Sequence, residues 1–230
     1  MSSMLPVVLA LARIGGVYSS QDDQGFARVV VFLDSQNVYM GAREEYGLHG
    51  APSRLGQTDP LVLARLIVAK RRYPSRLAGV LVCRGLPDSE RQPMANAANL
   101  RQTEIHEERG GGLVAVFTRP LRYPRGWPSV PAEEKGIDVA LAVDFVTMAS
   151  SGAYEVGVLM STDTDLLPAL EAVAALGGRP HPRCEAAAWT RSGVGGRRLR
   201  PRGVHVWCRW LDRDDFAADR DDTDYDVGTP

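Results

Sequence analysis

The chain has 230 residues, 44% of them hydrophobic and 24% charged, which suits one α/β domain with tails and excludes wholesale disorder. The formal net charge of −1 averages two opposed parts: Asp212 to Asp226 holds eight Asp and two Arg, a net of −6, and the rest carries 25 basic against 20 acidic residues. No stretch reaches the roughly 18 to 20 apolar residues that span a bilayer, so no membrane association is expected.

Residues 1–27 read as a lead-in extension. Leu5 to Ala12 has the length of a signal-peptide core, but no Lys or Arg precedes it and no small-x-small site follows. Ala27 to Leu33 is a β-branched, apolar run interrupted only by Arg28, the signature of a strand buried on both faces of a parallel sheet. Thr58-Asp59-Pro60 opens a helix, Asp as cap and Pro in the first turn, running to about Arg72. Ala78 to Cys83 is a second strand; Gln92 to Arg109 is a helix stopped by Gly110-Gly111-Gly112; Leu113 to Phe117 is a third strand. A proline-rich loop from Pro120 to Pro131 precedes a helix from Ile137 to Ser150 that is apolar almost all round, hence buried. Tyr154 to Met160, Arg179 to Ala188 and Val204 to Trp210 read as strands four to six, with a helix from about Leu166 to Leu176. Strands alternating with helices predict an α/β fold with a mainly parallel sheet over residues 28–211. Arg191 to Arg202 is expected to be a mobile basic loop, and residues 212–230 an acidic tail without fixed structure.

Cys83, Cys184 and Cys208 are odd in number and far apart, no C-x-x-C pair exists, and the histidines lie outside any zinc spacing. A reduced, cytoplasmic protein is the simple expectation. Only Lys70 and Lys135 are lysines, an arginine excess that fits nucleotide-composition bias or nucleic-acid binding equally well.

In open α/β sheets ligands bind beyond the carboxyl ends of the strands. The first strand ends in Asp34, with Asn37 a turn later. Asp163 and Asp165 follow the fourth, and Asp138 stands in the first turn of the helix before it. If the first and fourth strands are neighbours, these four carboxylates converge on one edge. Such a group repels itself unless a cation is present, and its oxygen donors suit Mg²⁺ or Mn²⁺. A magnesium ion keeps several waters, one of which can serve as nucleophile against a phosphodiester. Each acid alone has a plainer reading: Asp34 as an Asx turn, the others as helix-start acids. Asp144 falls on the apolar stripe of its helix and needs a partner there, such as the hydroxyl of Ser161 or Thr162, which gives it a supporting role. Gln36 stands where a phosphoaspartyl phosphatase would carry a second Asp, and no phosphate-binding glycine loop or acyl-transfer motif is present.

Three segments resemble the NYN domains, a branch of the PIN-like nucleases. Val29-Val30-Val31-Phe32-Leu33-Asp34-Ser35-Gln36-Asn37-Val38-Tyr39 looks like their opening strand. Glu134-Lys135-Gly136-Ile137-Asp138-Val139-Ala140-Leu141-Ala142-Val143-Asp144 is similar to their middle motif, in the form of the LabA-like subgroup. Ser161-Thr162-Asp163-Thr164-Asp165-Leu166-Leu167-Pro168-Ala169-Leu170 looks like their S-G-D-S-D-F-x-P-L motif, with Thr162 for the usual Gly and Leu166 for the usual Phe. The resemblance implies a PIN-like fold and a magnesium-dependent ribonuclease. It implies metal-site roles for Asp34, Asp138, Asp163 and Asp165, a helper role for Asn37, and a place for Lys135 near the scissile phosphate.

A single-stranded RNA would be gripped by basic side chains and stacked on aromatics. Arg119, Arg122 and Arg125, interleaved with Tyr123 and Trp127, offer both just before the middle motif. The alternative from another class is a non-catalytic RNA-binding or regulatory module that retains the acids.

Overall fold

A computed structural model describes residues 25–177, 183–193 and 195–226. The expected extension lies almost wholly outside them, its apolar run Leu5 to Ala12 included. The sheet comprises β1 (Ala27–Asp34), β2 (Ser75–Leu86), β3 (Val114–Pro120), β4 (Val156–Met160), β5 (Cys184–Trp189) and β6 (Cys208–Leu211). The strands lie in the order β3-β2-β1-β4-β5-β6, and every neighbouring pair is parallel. The helices are α1 (Ser35–Glu45), α2 (Pro60–Ala69), α3 (Pro93–Gly110), α4 (Ile137–Ser150), α5 (Leu167–Ala175) and α6 (Arg213–Asp219). The α/β class and parallel sheet expected from the sequence are therefore present.

The alternation of β1 explains the layering. Val29, Val31 and Leu33 enter one core with Val38 and Ala42 of α1, Leu63 and Ile67 of α2, and Phe216 of α6. Val30 and Phe32 enter the other with Leu141 and Phe145 of α4 and Leu170 of α5. Phe32 meets Phe145 edge-on at 5.0 Å between ring centroids, so the aromatic contact fixes α4 across the central strand. The chain builds β1, β2 and β3 outward, returns through α4 to the opposite face, and continues to β4, β5 and β6. The direction of growth thus reverses between β1 and β4, where a parallel sheet opens a crevice.

Several boundaries depart from expectation. The helix α1 was not anticipated, because only Val38 and Ala42 of it are fully buried and its polar surface hides the period. α2 opens as expected on Asp59, whose carboxylate accepts from the Leu61 and Val62 amides, but ends at Ala69. Arg71, expected inside that helix, turns inward to the fully buried Glu185, which also binds Arg209. α3 stops where the glycines predict, with Gly111 in the left-handed conformation. A 3₁₀ turn at Thr164–Leu166 precedes α5, and the start expected for the fifth strand falls on residues outside those described. The sixth strand forms later than expected, at Cys208–Leu211.

The acidic tail is the main correction. Asp212 caps α6, accepting from the amides of Asp214 and Asp215, and the Asp215 side chain accepts from the Asp212 amide in return. Phe216 stacks on Tyr46 with centroids 4.9 Å apart. Beyond α6 the chain crosses the helix layer: Arg220 bridges Thr58, and Asp221 accepts from Thr223 and sits 3.2 Å from Nε2 of His106 on α3. Arg101 Nε donates to the Tyr225 carbonyl at 2.9 Å. A run of aspartates suggested self-repulsion and disorder, but Asp212 and Asp215 form a cap and Asp221 and Asp222 have cationic or hydroxyl partners. Arg191, at the start of the basic loop, is held by the Glu44 and Glu45 carbonyls rather than moving freely.

Candidate active site

The crevice between β1 and β4 gathers the acids. Asp34 ends β1 and caps α1, its Oδ1 accepting from the Asn37 amide at 3.2 Å, so it is both a capping residue and a site residue. Its Oδ2 accepts from Ser161 Oγ at 2.9 Å. Burial pushes the Asp34 carboxyl above its ordinary pKa; the Ser161 and Asn37 hydrogen bonds oppose this, and the charges of Asp138 and Asp163 add to it. Asp34, Asp138 and Asp163 therefore share one electrostatic neighbourhood, although 104 and 129 residues separate the second and third from the first.

The loop after β4 is tied to α1 by polar contacts. Asn37 Oδ1 accepts from the Thr162 amide at 2.8 Å and from its hydroxyl at 3.2 Å. Ser161 Oγ also accepts from the Asp163 amide at 3.0 Å, linking two of the acids through one hydroxyl. Asp163 accepts from the Asp165 amide, and Asp165 itself is exposed on the outer rim. Asp138 is half-buried in the first turn of α4. The residue before that helix, Gly136, has φ of 74°, a conformation that leaves glycine the natural occupant of the motif position. Arg119 Nη1 approaches the Gly136 carbonyl at 3.5 Å, which brings this arginine to the start of α4; Lys135, Arg122 and Arg125 are exposed nearby in the chain. Tyr123 and Trp127 meet edge-on at 5.0 Å, and the Arg91 guanidinium lies 4.8 Å from the Tyr123 ring centroid.

Asp144 departs from expectation. It is buried, but the hydroxyls of Ser161 and Thr162 are directed to Asp34 and Asn37, and Asp144 Oδ2 has no hydrogen-bond partner. Burial raises its pKa to about 6. Glu134 belongs to the acidic neighbourhood although nothing in the sequence singled it out from its motif. Its Oε1 accepts from the Gly85 amide at 2.7 Å. Burial raises its pKa, the Gly85 bond lowers it, the charges of Asp34 and Asp138 raise it further, and Arg84 lowers it. A Cβ at Gly85 would meet Leu121 Cδ2 at 2.3 Å and Glu134 Oε1 at 2.8 Å, so a larger residue there would displace the Glu134 carboxylate.

Among the described residues, no three Asp, Glu, His or Cys side chains stand close enough together to hold an ion as they are arranged. The donors nevertheless fit a hard cation in kind. Asp34, Asp138 and Asp163 present only oxygen, and their mutual repulsion at a partly desolvated edge is what a divalent charge relieves.

A doubly wound parallel sheet with acids at the crevice of its two central strands defines a Rossmann-like α/β domain with an anionic site. The family model for the NYN domain matches residues 28–179, and the chain belongs to this family, within the PIN-like nuclease superfamily. No curated protein matches the chain. A crystal structure of a protein of unknown function from Vibrio parahaemolyticus is similar at a TM-score of 0.49 and 17% identity, covering 85% of this chain and 98% of that one, a likeness too slight to bear on activity.

Proposed function

We propose that this NYN domain is a metal-dependent ribonuclease of the LabA-like kind that cuts single-stranded RNA in the cytoplasm. The observation that carries the reading is the shared electrostatic neighbourhood of Asp34, Asp138 and Asp163 at the reversal point of the sheet. Asp34, Asp138, Asp163 and Asp165 would hold Mg²⁺ or Mn²⁺. The bound ion would polarise the phosphodiester and ease ionisation of the attacking water. Ser161 orients Asp34, and Asn37 fixes the loop that carries Asp163. Arg119 and Lys135 flank the start of α4 and neutralise phosphate charge, while Arg122 and Arg125 extend the basic surface beside Tyr123 and Trp127. Among the described residues no helix is long and apolar enough to cross a membrane.

The test is cleavage of end-labelled single-stranded RNA and DNA of the same sequence, with Mn²⁺ and with EDTA. RNA cleavage that EDTA stops, and that Asp163→Asn loses without a change in melting temperature, is the expected result. Cleavage undiminished by EDTA, or full activity in Asp163→Asn, overturns the mechanism. The second reading, an RNA-binding module without catalysis, draws on the separation of the acids and predicts a gel shift with intact RNA.

A further inference from the structure

A cleft leads away from the acidic edge between α1 and α3. Its inner part is a cavity of about 290 Å³ that begins at Ser35 and Glu134, and its outer part is one of about 680 Å³. Tyr39, Ser53, Gln57, Asn99 and Gln102 line both, so the two parts are continuous. The α1 side of this cleft is basic and aromatic. The Tyr39 ring is half-buried, and the Arg43 guanidinium lies 5.4 Å from its centroid, held by the Ala51 and Pro52 carbonyls at 2.8 and 3.1 Å. Arg54 is exposed in the outer part. An aromatic ring with cations beside it is what a single nucleic-acid strand requires for stacking and for its phosphates.

The far wall has the opposite character. The chain beyond α6 lines the outer part with Asp224, Tyr225 and Asp226. Tyr225 is 5% exposed and pins this segment to α3. Its hydroxyl donates to Asp221, its ring meets His106 edge-on with centroids 6.1 Å apart, and its carbonyl accepts from Arg101 Nε at 2.9 Å. Asp224 and Asp226 flank that anchor and are exposed. Asp222 pairs with Arg220 at 2.7 Å, whereas among the described residues Asp224 and Asp226 have no ion-pair partner. Their charges stand uncompensated beside the cleft, where a phosphodiester backbone would bring more charge of the same sign.

We propose that this C-terminal segment is an autoinhibitory strap: the cleft is the path of an RNA strand to the acidic crevice, and the carboxylates of Asp224 and Asp226 hold the affinity for that strand down. Unseating Tyr225 withdraws both carboxylates at once, so the strap has a seated and a released state. That the path ends in cutting rests on the ribonuclease reading, whereas the effect on binding does not.

The experiment separates the two. Binding of a labelled single-stranded RNA to the full chain is followed by fluorescence anisotropy with EDTA present, where no metal-dependent cleavage occurs. One variant carries Asp224→Asn with Asp226→Asn; asparagine at 224 keeps the acceptor that the Asp226 amide uses. A second carries Glu108→Gln with Asp214→Asn, the same change of charge at two exposed positions that do not line the cleft. The cleft pair should tighten binding about fivefold or more at about 50 mM salt, an effect that fades at about 500 mM, and the other pair no more than about twofold. Tyr225→Ala should tighten binding as the cleft pair does; melting temperatures show whether it is folded, and the charge variants decide the matter if it is not. Equal tightening by both pairs reduces the effect to net charge and overturns the strap, as does no change in the cleft pair. In parallel, the unmodified chain is incubated with the RNA and Mn²⁺. Relief of binding without cleavage upholds the strap and overturns the nuclease, cleavage without relief does the reverse, and RNA binding by none of the proteins together with no cleavage overturns both.

Discussion

Asp219 is 1% exposed, and neither of its carboxyl oxygens has a hydrogen-bond partner. Burial, with the charges of Asp215 and Asp59, raises its pKa to about 8. An unfolded aspartate titrates near about 4. Between those values the native state keeps a proton that the unfolded chain has released, so folding stability falls as pH rises through that window. Asp219→Asn should therefore raise stability at pH 8 by on the order of 3 kcal/mol and change it little at pH 4, as thermal melts at the two values would show. Glu185 is the opposite case. It is fully buried between Arg71 and Arg209, and Glu185→Gln should cost about 3–5 kcal/mol in denaturant unfolding by leaving two guanidinium groups without a counter-charge. At this scale the gathering of Asp34, Asp138 and Asp163 at one edge was legible, because strand ends and helix starts fall together at the carboxyl edge of a parallel sheet. Asp144 was legible as a buried acid in need of a partner, but the hydroxyls within reach serve other residues. Glu134 was not legible, since its role depends on the Gly85 amide of a different strand.

Among the elements, the central strands were the clearest in the sequence, because burial on both faces leaves an unbroken apolar run from Val29 to Leu33 in β1. The hidden elements were α1 and α6, whose helical period is carried by one or two buried residues each and whose surfaces are polar. Their stability comes from caps at Asp34 and Asp212 and from aromatic packing, which a hydrophobic pattern does not register. Phe216 lies between Tyr46 and Trp189, with centroids 4.9 and 5.6 Å away. Phe216→Ala should destabilise the fold by about 3–5 kcal/mol in urea unfolding. Deleting residues 212–230 removes this helix and the contacts of Asp221 and Tyr225 with α3. The deletion should lower the melting temperature well below that of the full chain; if the segment were a free tail, the melting temperature would not move.

Over the whole molecule the net charge of −1 averages an acidic C-terminal segment with a basic remainder, to which exposed arginines and a lysine near the start of α4 contribute. The basic side chains of residues 119, 122 and 125 and of Lys135 are the proposed phosphate contacts. Replacing all three arginines by alanine should weaken RNA binding most at low salt and flatten the slope of log affinity against log salt by about 2–3, as fluorescence anisotropy would measure. Base preference should be unaffected, because those side chains are assigned to the backbone of the strand. The topology was readable as α/β and parallel, and adjacency of the first and fourth strands was the one spatial assumption on which the acidic edge depended.

Uniform strand direction gives the domain two unlike rims. Arg28 and Glu155 bind each other where β1 and β4 begin, and the eight residues of β1 carry the chain on the order of 25 Å to Asp34. Anchoring the protein to a bead or sensor through that starting rim would leave the crevice facing the bulk solution. An immobilised format of this kind can test the proposed RNA capture without the attachment competing for the acidic crevice.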